Sequence, residues 1–470
     1  MFCRVRSKWR PEGPSAVRPC HNAGKKPPDG PMFRREFYRP LHKMARHRCG
    51  LRKLEGPASA PTTQSPLGVT IETPVNLREV GRLRVLEALH TTVRSSRPEL
   101  VRVTGLSRAT VSSLITDLIA VGLVTEDEGP EDPEPRRTGR PAQSLSLVPT
   151  AGYAIGADIG HQHVRAILCD LFGAVVWEHW VAKEVDRAPE ETLDLVAVLV
   201  DRALQETGVD RDRVLGIGVG IASPVEKGSG ALGAEGIMPG WVGMRLIDEL
   251  HRRTSLPVRV TNDANAGALA ERMYGAGRHT RDMVYVRLSA GIGAGIVSNG
   301  KLLLGARGLA GEIGHLPLTA DGLICRCGNR GCLETVASPV AIARLLSDSW
   351  GQHVAAQDLP GLIEQRNAGA LRSVRDAGDA VGRALSNLVT LLNPRLIVVG
   401  GDLAAAGEDL LEPLRAGVHR HALPSAVRSV DIVTGHLGDG AEVRGAAGLI
   451  LADASQLLSA AAPATQAEPV

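Results

Sequence analysis

Residues 311–315 read Gly-Glu-Ile-Gly-His, and residues 325–334 read Cys-Arg-Cys-Gly-Asn-Arg-Gly-Cys-Leu-Glu. Together they bring one imidazole and three thiols into 18 positions, at His315, Cys325, Cys327 and Cys332. Zn²⁺ takes such a closed four-ligand set in tetrahedral structural sites. The alternative is a chance cluster of thiols, but ligand number and spacing favour zinc. We therefore predict one structural zinc per chain in loop 311–334, with no coordination position left open for catalysis.

Composition narrows the class of protein. The chain has 470 residues, of which 43% are hydrophobic, enough for about two to four domains. Its apolar runs fall short of the roughly 20 residues that a membrane span needs, and residues 1–30 lack the pattern of a secretory signal. The remaining four of the seven cysteines are scattered, as is usual in a reducing compartment. We therefore expect a cytoplasmic protein.

The basic charge of the chain is concentrated at one end. Residues 1–56 hold 15 Lys/Arg against 4 Asp/Glu, whereas the rest holds 39 against 47. Residues 1–75 are rich in Pro, Arg and Gly without helical or strand periodicity, and we predict a disordered tail and linker. Three interpretations are open: a basic arm that binds DNA phosphates, a solvated tail, or a true start of the protein at Met44. We favour the solvated tail or the later start. Residues 456–470 are expected to be a second disordered tail.

Residues 76–149 have the pattern of a winged helix-turn-helix module. Apolar residues recur at every third position of a first helix, at Leu77, Val80, Leu83, Leu86 and Leu89. A short helix over 98–103 follows, then a turn at Gly105, and Ser107 as the N-cap of a third helix. The third helix has an apolar stripe at Val111, Leu114, Ile115, Leu118 and Ile119 and ends at Gly122.

The opposite face of this third helix carries short side chains, which let a helix approach base edges. The residues predicted to contact DNA there are Ser107, Arg108, Ala109, Thr110, Ser112 and Ser113. Two strands then flank a Gly-Arg-Pro tip, where Arg137 and Arg140 are predicted to enter the minor groove. The alternative is a protein-interaction unit, because residues 76–149 hold 10 Arg against 10 Asp/Glu. The wing favours double-stranded DNA as the partner.

From residue 151 onward strands alternate with helices, which predicts an α/β domain with two related halves. Asn262 and Asp263 lie where a strand runs into a helix, a position at which α/β proteins place ligand-contacting groups. Two glycine-rich segments, 289–295 and 400–401, would allow backbone amides to approach a phosphate. Alone, each of these signals is weak.

In combination, these motifs resemble the ROK (repressor, open reading frame, kinase) family, and the resemblance covers residues 76–455. It implies an actin-like (RNase H-like), ATPase-type, two-lobed domain over 150–455, which senses a sugar. The fused helix-turn-helix module resembles the repressor branch, which includes xylose and N-acetylglucosamine repressors. In the kinases of the family the residue at Asp263 is the general base. The resemblance further implies that Asn262, Asp263, Glu312, His315 and Glu334 bind the sugar, with His315 shared between sugar and zinc.

The nucleotide loops depart from the kinase pattern. The corresponding residues are Asp158, Gly160, Gly291, Gly293, Gly400 and Gly401. His161 and Gln162 stand where the kinases have Gly and Thr, and Asp402 stands where a third Gly is usual. A degraded phosphate cradle removes the electrostatic stabilisation that phosphoryl transfer needs, so we expect no catalytic residue and Asp263 acting only as a sugar ligand. An Asn usual in the kinases is also missing ahead of Gly240-Trp241, which leaves the sugar open among xylose, glucose and N-acetylglucosamine.

We therefore predict a transcriptional repressor of carbohydrate metabolism, controlled by a sugar. It should bind a palindromic operator as a homodimer or a dimer of dimers, because paired half-sites match two-fold protein symmetry. The alternative is an ATP-dependent sugar kinase that carries a DNA-binding module, with Asp263 as its catalytic base.

Overall fold

A computed structural model describes residues 77–127, 143–233 and 236–461. The first of its parts is a module of three helices and a two-stranded antiparallel sheet. Its elements are α1 (Leu77–Thr92), α2 (Arg97–Thr104), α3 (Arg108–Ala120), β1 (Val124–Asp127) and β2 (Ser144–Leu147). These are the predicted helices and the two strands of the wing. The wing tip with Arg137 and Arg140, and the tail 1–75, lie outside the described residues.

Local interactions explain where the helices of this module begin and end. A reciprocal capping box of Ser96 and Glu99 starts α2, and Gly105 stops it with a φ of 69°, a conformation that suits glycine. The Ser107 hydroxyl then accepts from the Thr110 amide at 3.1 Å and caps α3. The predicted cap, turn and helix start are therefore confirmed.

Two details of the predicted packing were wrong. The buried face of α1 runs through Arg82, Val85, Leu86 and Leu89, whereas Val80 and Leu83 are half-buried. A spacing of three drifts around a helix whose true period is 3.6 residues. In α3 the stripe from Val111 to Leu118 is buried, but Ile119 is 37% exposed.

The first lobe is built on a five-stranded sheet in the order β5-β4-β3-β6-β7. Its elements are β3 (Tyr153–Ile159), β4 (His163–Asp170), β5 (Val175–Ala182), α4 (Pro189–Thr207), β6 (Val214–Ile221), α5 (Leu246–Thr254), β7 (Val258–Asn262) and α6 (Asp263–Tyr274). The first three strands are antiparallel neighbours, and β6 and β7 extend the sheet in parallel. The helix α6, which starts at Asp263, contacts strands of both lobes.

The second lobe repeats this plan, with a sheet in the order β10-β9-β8-β11-β12. Its elements are β8 (Met283–Leu288), β9 (Ile292–Ser298), β10 (Lys301–Leu302), α7 (Glu334–Ala337), α8 (Pro339–Trp350), α9 (Leu359–Glu364), α10 (Ala368–Leu392), β11 (Leu396–Gly400), α11 (Glu408–His421), α12 (Pro424–Val427) and β12 (Asp431–Thr434). An antiparallel start (β8–β9) is again followed by parallel strands. The α/β fold with two related halves is therefore confirmed.

The chain then returns to the first lobe through α13 (Ala441–Leu451) and α14 (Ala454–Ala461). On α14, Leu458 is 4% exposed and belongs to the same apolar cluster as Leu86 and Leu89 of α1. Burial of this apolar face stabilises the helix, so the prediction of a disordered tail from 456 is wrong as far as Ala461. Across the ranges 77–127, 143–233 and 236–461, the helices include none with the length and apolarity to cross a membrane.

Candidate functional site

A central cleft separates the two lobes. Its lining residues are His161, Ala222, Ser223, Pro224, Ile237, Asn262, Asp263, Arg287, Gly291, Ile292, Gly293, Glu312, His315, Arg326 and Glu334. All five residues predicted to bind sugar are among them. The cleft holds about 40 Å³, whereas ligand pockets usually hold about 300 Å³ or more. The cleft is therefore narrow in this structure.

Asn262 and Asp263 reach the cleft from the junction of β7 and α6. The Asn262 carboxamide oxygen caps α6 by accepting from the Ala264 amide at 2.9 Å, and its Nδ2 donates to the Ser223 carbonyl at 3.3 Å. Asp263 is 6% exposed and lies in the first turn of the helix, where the helix dipole stabilises an anion. The sequence therefore forms this corner by ordinary N-capping.

Asp263 is paired with a buried arginine from the other lobe. Arg287 on β8 holds the Asp263 carboxylate at 3.0 Å through Nη1 and the Glu442 carboxylate at 3.0 Å through Nε. Burial raises the pKa of Glu442 to about 7, although Arg287 opposes the shift. One guanidinium faces four carboxylates here, since Asp158 and Asp402 also act on Arg287. Burial first, and then the negative charges of Asp158 and Asp263, explain why Glu442 binds a proton more easily than usual.

Glu334 and Glu312 line the side of the cleft formed by the cysteine loop. Glu334 accepts from Arg326 Nε at 2.8 Å and from the Ile292 amide at 3.2 Å. Burial, together with the charges of Asp263 and Glu334, raises the pKa of Glu312 to about 7. Near neutral pH the Glu312 carboxyl can thus donate or accept a hydrogen bond.

The residues predicted to hold a metal form one cluster. The four ligand atoms of His315, Cys325, Cys327 and Cys332 lie within 4.8 Å of one another. His315 Nδ1 is 3.6 Å from Cys325 Sγ, and Cys327 Sγ is 3.8 Å from Cys332 Sγ. Two thiolates bound at about 2.3 Å to a tetrahedral ion are roughly 3.8 Å apart, so these residues fit a four-coordinate metal. His315 Nε2 points instead towards Glu312, 4.0 Å away.

The glycine-rich segments that the sequence predicted to approach a phosphate contact neighbouring side chains. His163 Nε2 contacts Asp158 Oδ2 at 2.9 Å, and a Cβ on Gly160 would overlap the His163 ring. Burial lowers the pKa of His163, but the hydrogen bond and charge of Asp158 outweigh it and raise the pKa overall. The Asp402 amide donates to Ser289 Oγ at 3.2 Å.

The face of α3 predicted to contact DNA is open to solvent. Arg108, Ala109, Thr110, Ser112 and Ser113 are all exposed, whereas Val111 and Leu114 between them are buried. Ser107 combines a cap hydrogen bond to the α3 backbone with an exposed position. The short side chains on this face leave room for a close approach.

Sequence analysis missed four polar residues of the cleft. Arg287, Arg326 and Ser223 were not predicted, and His161 was expected only to obstruct a phosphate. The Ser223 hydroxyl is buried without a hydrogen-bond partner among the described residues. A signal existed for Arg287, because an arginine inside the otherwise apolar strand 283–288 demands a buried acidic partner. For Ser223 the sequence offered no signal that we recognise.

The fold and cleft are those of a two-lobed α/β protein carrying a helix-turn-helix module. The model of the ROK family matches residues 154–453, and an IclR helix-turn-helix domain model matches residues 83–128. The chain belongs to the ROK family.

Known relatives include both regulators and enzymes. A xylose repressor of Caldicellulosiruptor bescii is 28% identical over 390 residues, covering 80% of this chain and 96% of the relative. A glucokinase of Halalkalibacterium halodurans is 34% identical over 316 residues but covers only 63% of this chain, and 94% of its own. Among solved structures, a ROK family transcriptional regulator described as a homologue of the E. coli MLC protein has a TM-score of 0.69 at 25% identity. That match covers 82% of this chain and 99% of the other.

Proposed function

We propose that this protein is a sugar-responsive transcriptional repressor that binds DNA through α3 and senses a sugar in the central cleft. One observation carries the proposal: an exposed helix-turn-helix face and a carboxylate-lined cleft are parts of one chain. The repressor and the regulator structure align over about four-fifths of the chain, which supports the regulator over the enzyme. Carbohydrate metabolism is the proposed target, with a place in the cytoplasm, where DNA is accessible and thiols stay reduced.

In this proposal the five predicted residues hold the sugar. Carboxylates of Asp263, Glu312 and Glu334 accept from vicinal hydroxyls, and Asn262 supplies an amide that can donate or accept. His315 Nε2 faces the same space. A neutral sugar presents several hydroxyls, and each of them can pair with one of these polar groups. We propose D-xylose as the first candidate, since relatives are named xylose repressors.

We propose that the metal of the cysteine cluster is Zn²⁺ and that it is structural. His315, Cys325, Cys327 and Cys332 would hold it as a closed tetrahedral set, which would fix loop 311–334 and so the positions of Glu312 and Glu334. Four protein ligands leave no position for an activated water. The thiol-rich ligand set and the tetrahedral spacing of the sulfur atoms support zinc.

The second candidate function is a sugar kinase. The glucokinase relative favours it, together with the retained position of Asp263 in the cleft. Two contacts weigh against it: Asp263 is committed to Arg287, and His163 covers the Gly160 loop. We therefore propose that Asp263 binds sugar without catalysing phosphoryl transfer.

We propose that the protein acts as a homodimer, or a dimer of dimers, on a palindromic operator. Five apolar side chains that are 45–68% exposed line a groove beside the cysteine loop: Leu323, Ile324, Val336, Val340 and Leu345. An exposed apolar groove of this kind suits a protein–protein contact, and we assign it to a second copy. Light scattering should give the mass of a dimer for wild type and the mass of a monomer for Ile324→Asp. An unchanged mass in the variant would contradict this assignment.

Selection of genomic DNA fragments by the purified, zinc-loaded protein tests the function. It is carried out without sugar and with D-xylose, D-glucose or N-acetyl-D-glucosamine. We expect one palindromic sequence, whose recovery changes with one of the three sugars. Recovery of no specific fragment would contradict the regulator and leave the kinase as the remaining candidate.

A further inference from the structure

A buried charge cluster lies at the wall of the cleft and joins the two lobes. Arg287 extends from β8 of the second lobe, and its side chain is 11% exposed. Its two anions lie on different helices: Glu442 is in the first turn of α13, and Asp263 begins α6, which contacts both sheets. Tyr285, two residues before Arg287 on β8, also donates a hydrogen bond to Glu442 at 3.0 Å.

The helix that carries Glu442 belongs mechanically to the first lobe. A Cβ on Gly156 of β3 or on Gly218 of β6 would overlap the backbone of α13, and a Cβ on Gly445 would overlap the backbone of α6. Backbones in such contact cannot slide without a steric clash. Helix α13 therefore moves together with the first sheet, and Arg287 joins it to the second sheet. Helix α6 packs tightly on both sides, because a Cβ on Gly295 of β9 would overlap its backbone at Ala264.

The DNA-binding module is attached to the same body. Leu458 of α14 shares an apolar cluster with Leu86 and Leu89 of α1, and His90 Nε2 lies 3.1 Å from the Leu171 carbonyl after β4. Asp453, between α13 and α14, is paired with Arg259 of β7 at 2.7 Å. A change in the angle between the lobes would thus carry α3 with the first lobe, relative to the second.

We propose that Arg287 is a positioning residue that fixes the angle between the lobes, and that a sugar hydroxyl bound at Asp263 changes this angle by competing with Arg287. This inference rests on the proposed function, because it assigns Asp263 to the sugar. Arg287 is shared between Asp263 on α6 and Glu442 on α13, so weakening its contact with Asp263 shifts the guanidinium towards Glu442 and the first sheet. In a dimer joined through the second lobes, the resulting rotation alters the spacing of the two α3 helices on DNA.

Two substitutions should change sugar affinity in opposite directions. Glu442→Gln removes one of the two anions and keeps a side-chain oxygen that accepts from Tyr285. Because Arg287 then pairs more strongly with Asp263, sugar binding should weaken about fivefold. Arg287→Lys keeps the charge but loses the planar fork that spans both carboxylates. Asp263 is then freer, and sugar binding should tighten about fivefold. Weakening in both variants would indicate a merely structural role and overturn the proposal.

The chain offers a matched control in Arg253. Its side chain is 8% exposed and pairs with Asp194 at 2.8 Å and Glu249 at 2.6 Å, but it joins α4 to α5 and does not line the cleft. Arg253→Lys should leave the dissociation constant within twofold of wild type. Calorimetric titration uses whichever of D-xylose, D-glucose and N-acetyl-D-glucosamine raises the melting temperature of the wild-type chain.

A second measurement needs no sugar and separates the two hypotheses. The Lys227 amide donates to the Arg307 carbonyl across the lobes at 2.9 Å. If Arg287 fixes the lobe angle, Arg287→Lys should speed hydrogen exchange of the Lys227 amide at least threefold in the full chain, and Arg253→Lys should not. Unchanged exchange overturns the role of Arg287. If none of the three sugars binds the wild-type protein but Arg287→Lys still alters the exchange, the proposed sugar is contradicted. The positioning role of Arg287 is then still supported.

Discussion

Removal of the metal from the cysteine cluster should lower the melting temperature by a calculable amount. A metal that joins His315 to Cys332 closes a loop of 18 residues. A cross-link of that size raises the free energy of unfolding by about 3 kcal/mol, because it lowers the entropy of the unfolded chain. In a domain as large as the two lobes, each kcal/mol corresponds to about 2 °C in Tm. The expected decrease is therefore about 6 °C. Backbone hydrogen bonds such as Leu318 N–H to the Gly331 carbonyl remain, so the domain should stay folded.

The assay is differential scanning fluorimetry with and without a strong chelator, alongside elemental analysis for zinc. Cys327 is the exposed ligand, so Cys327→Ser should melt about 6 °C lower while costing little packing, and the chelator should lower it little further. Cys169→Ser, on β4 and away from the cluster, should keep the full chelator-induced shift. A wild-type protein shown to be free of metal, with unchanged Tm and unchanged sugar binding, would refute the structural role.

Three further outcomes are expected. Ser113→Glu places an anion on the exposed face of α3 and should weaken operator binding about tenfold through phosphate repulsion, as measured by fluorescence anisotropy. The control Gln205→Glu, on the exposed face of α4, should leave operator binding unchanged. Equal operator affinity of the two variants would refute the assignment of α3 to DNA. Changing Arg137 and Arg140 together to Ala should lower operator affinity about tenfold by removing the minor-groove contact, and an unchanged dissociation constant would exclude the wing. In a coupled assay, ATP consumption with each of the three sugars should equal that of Asp263→Asn, and sugar-dependent turnover that Asp263→Asn abolishes would establish the kinase instead.

Local signals in the sequence were sufficient for the DNA-binding module and the metal cluster. Ser107, Gly105 and Gly122 define helix ends through cap and φ preferences that depend on neighbouring residues only. His315 and the three cysteines lie within 18 positions, so a single loop brings them together. Such features can be predicted because no distant part of the chain decides them.

Features that depend on distant contacts could not be predicted. Arg287 and Glu442 are 155 positions apart, and no periodicity or spacing connects them. The burial of α14 depends on α1 at the opposite end of the described chain. Ile119 lies at the edge of the α3 stripe, where a small rotation of the helix decides between burial and exposure. In each case tertiary packing determines the result.

The most direct test of a sugar-controlled repressor measures both ligands on one chain. Fluorescence anisotropy gives the dissociation constant for the selected operator with and without the sugar that raises the melting temperature, for wild type and for Glu312→Gln. We predict that the sugar changes the dissociation constant of wild type for the operator at least fivefold, which corresponds to a coupling free energy of about 1 kcal/mol. Glu312→Gln should bind the operator with normal affinity but respond only at a higher sugar concentration. An operator affinity that no sugar alters, in a protein that binds the sugar, would contradict the account.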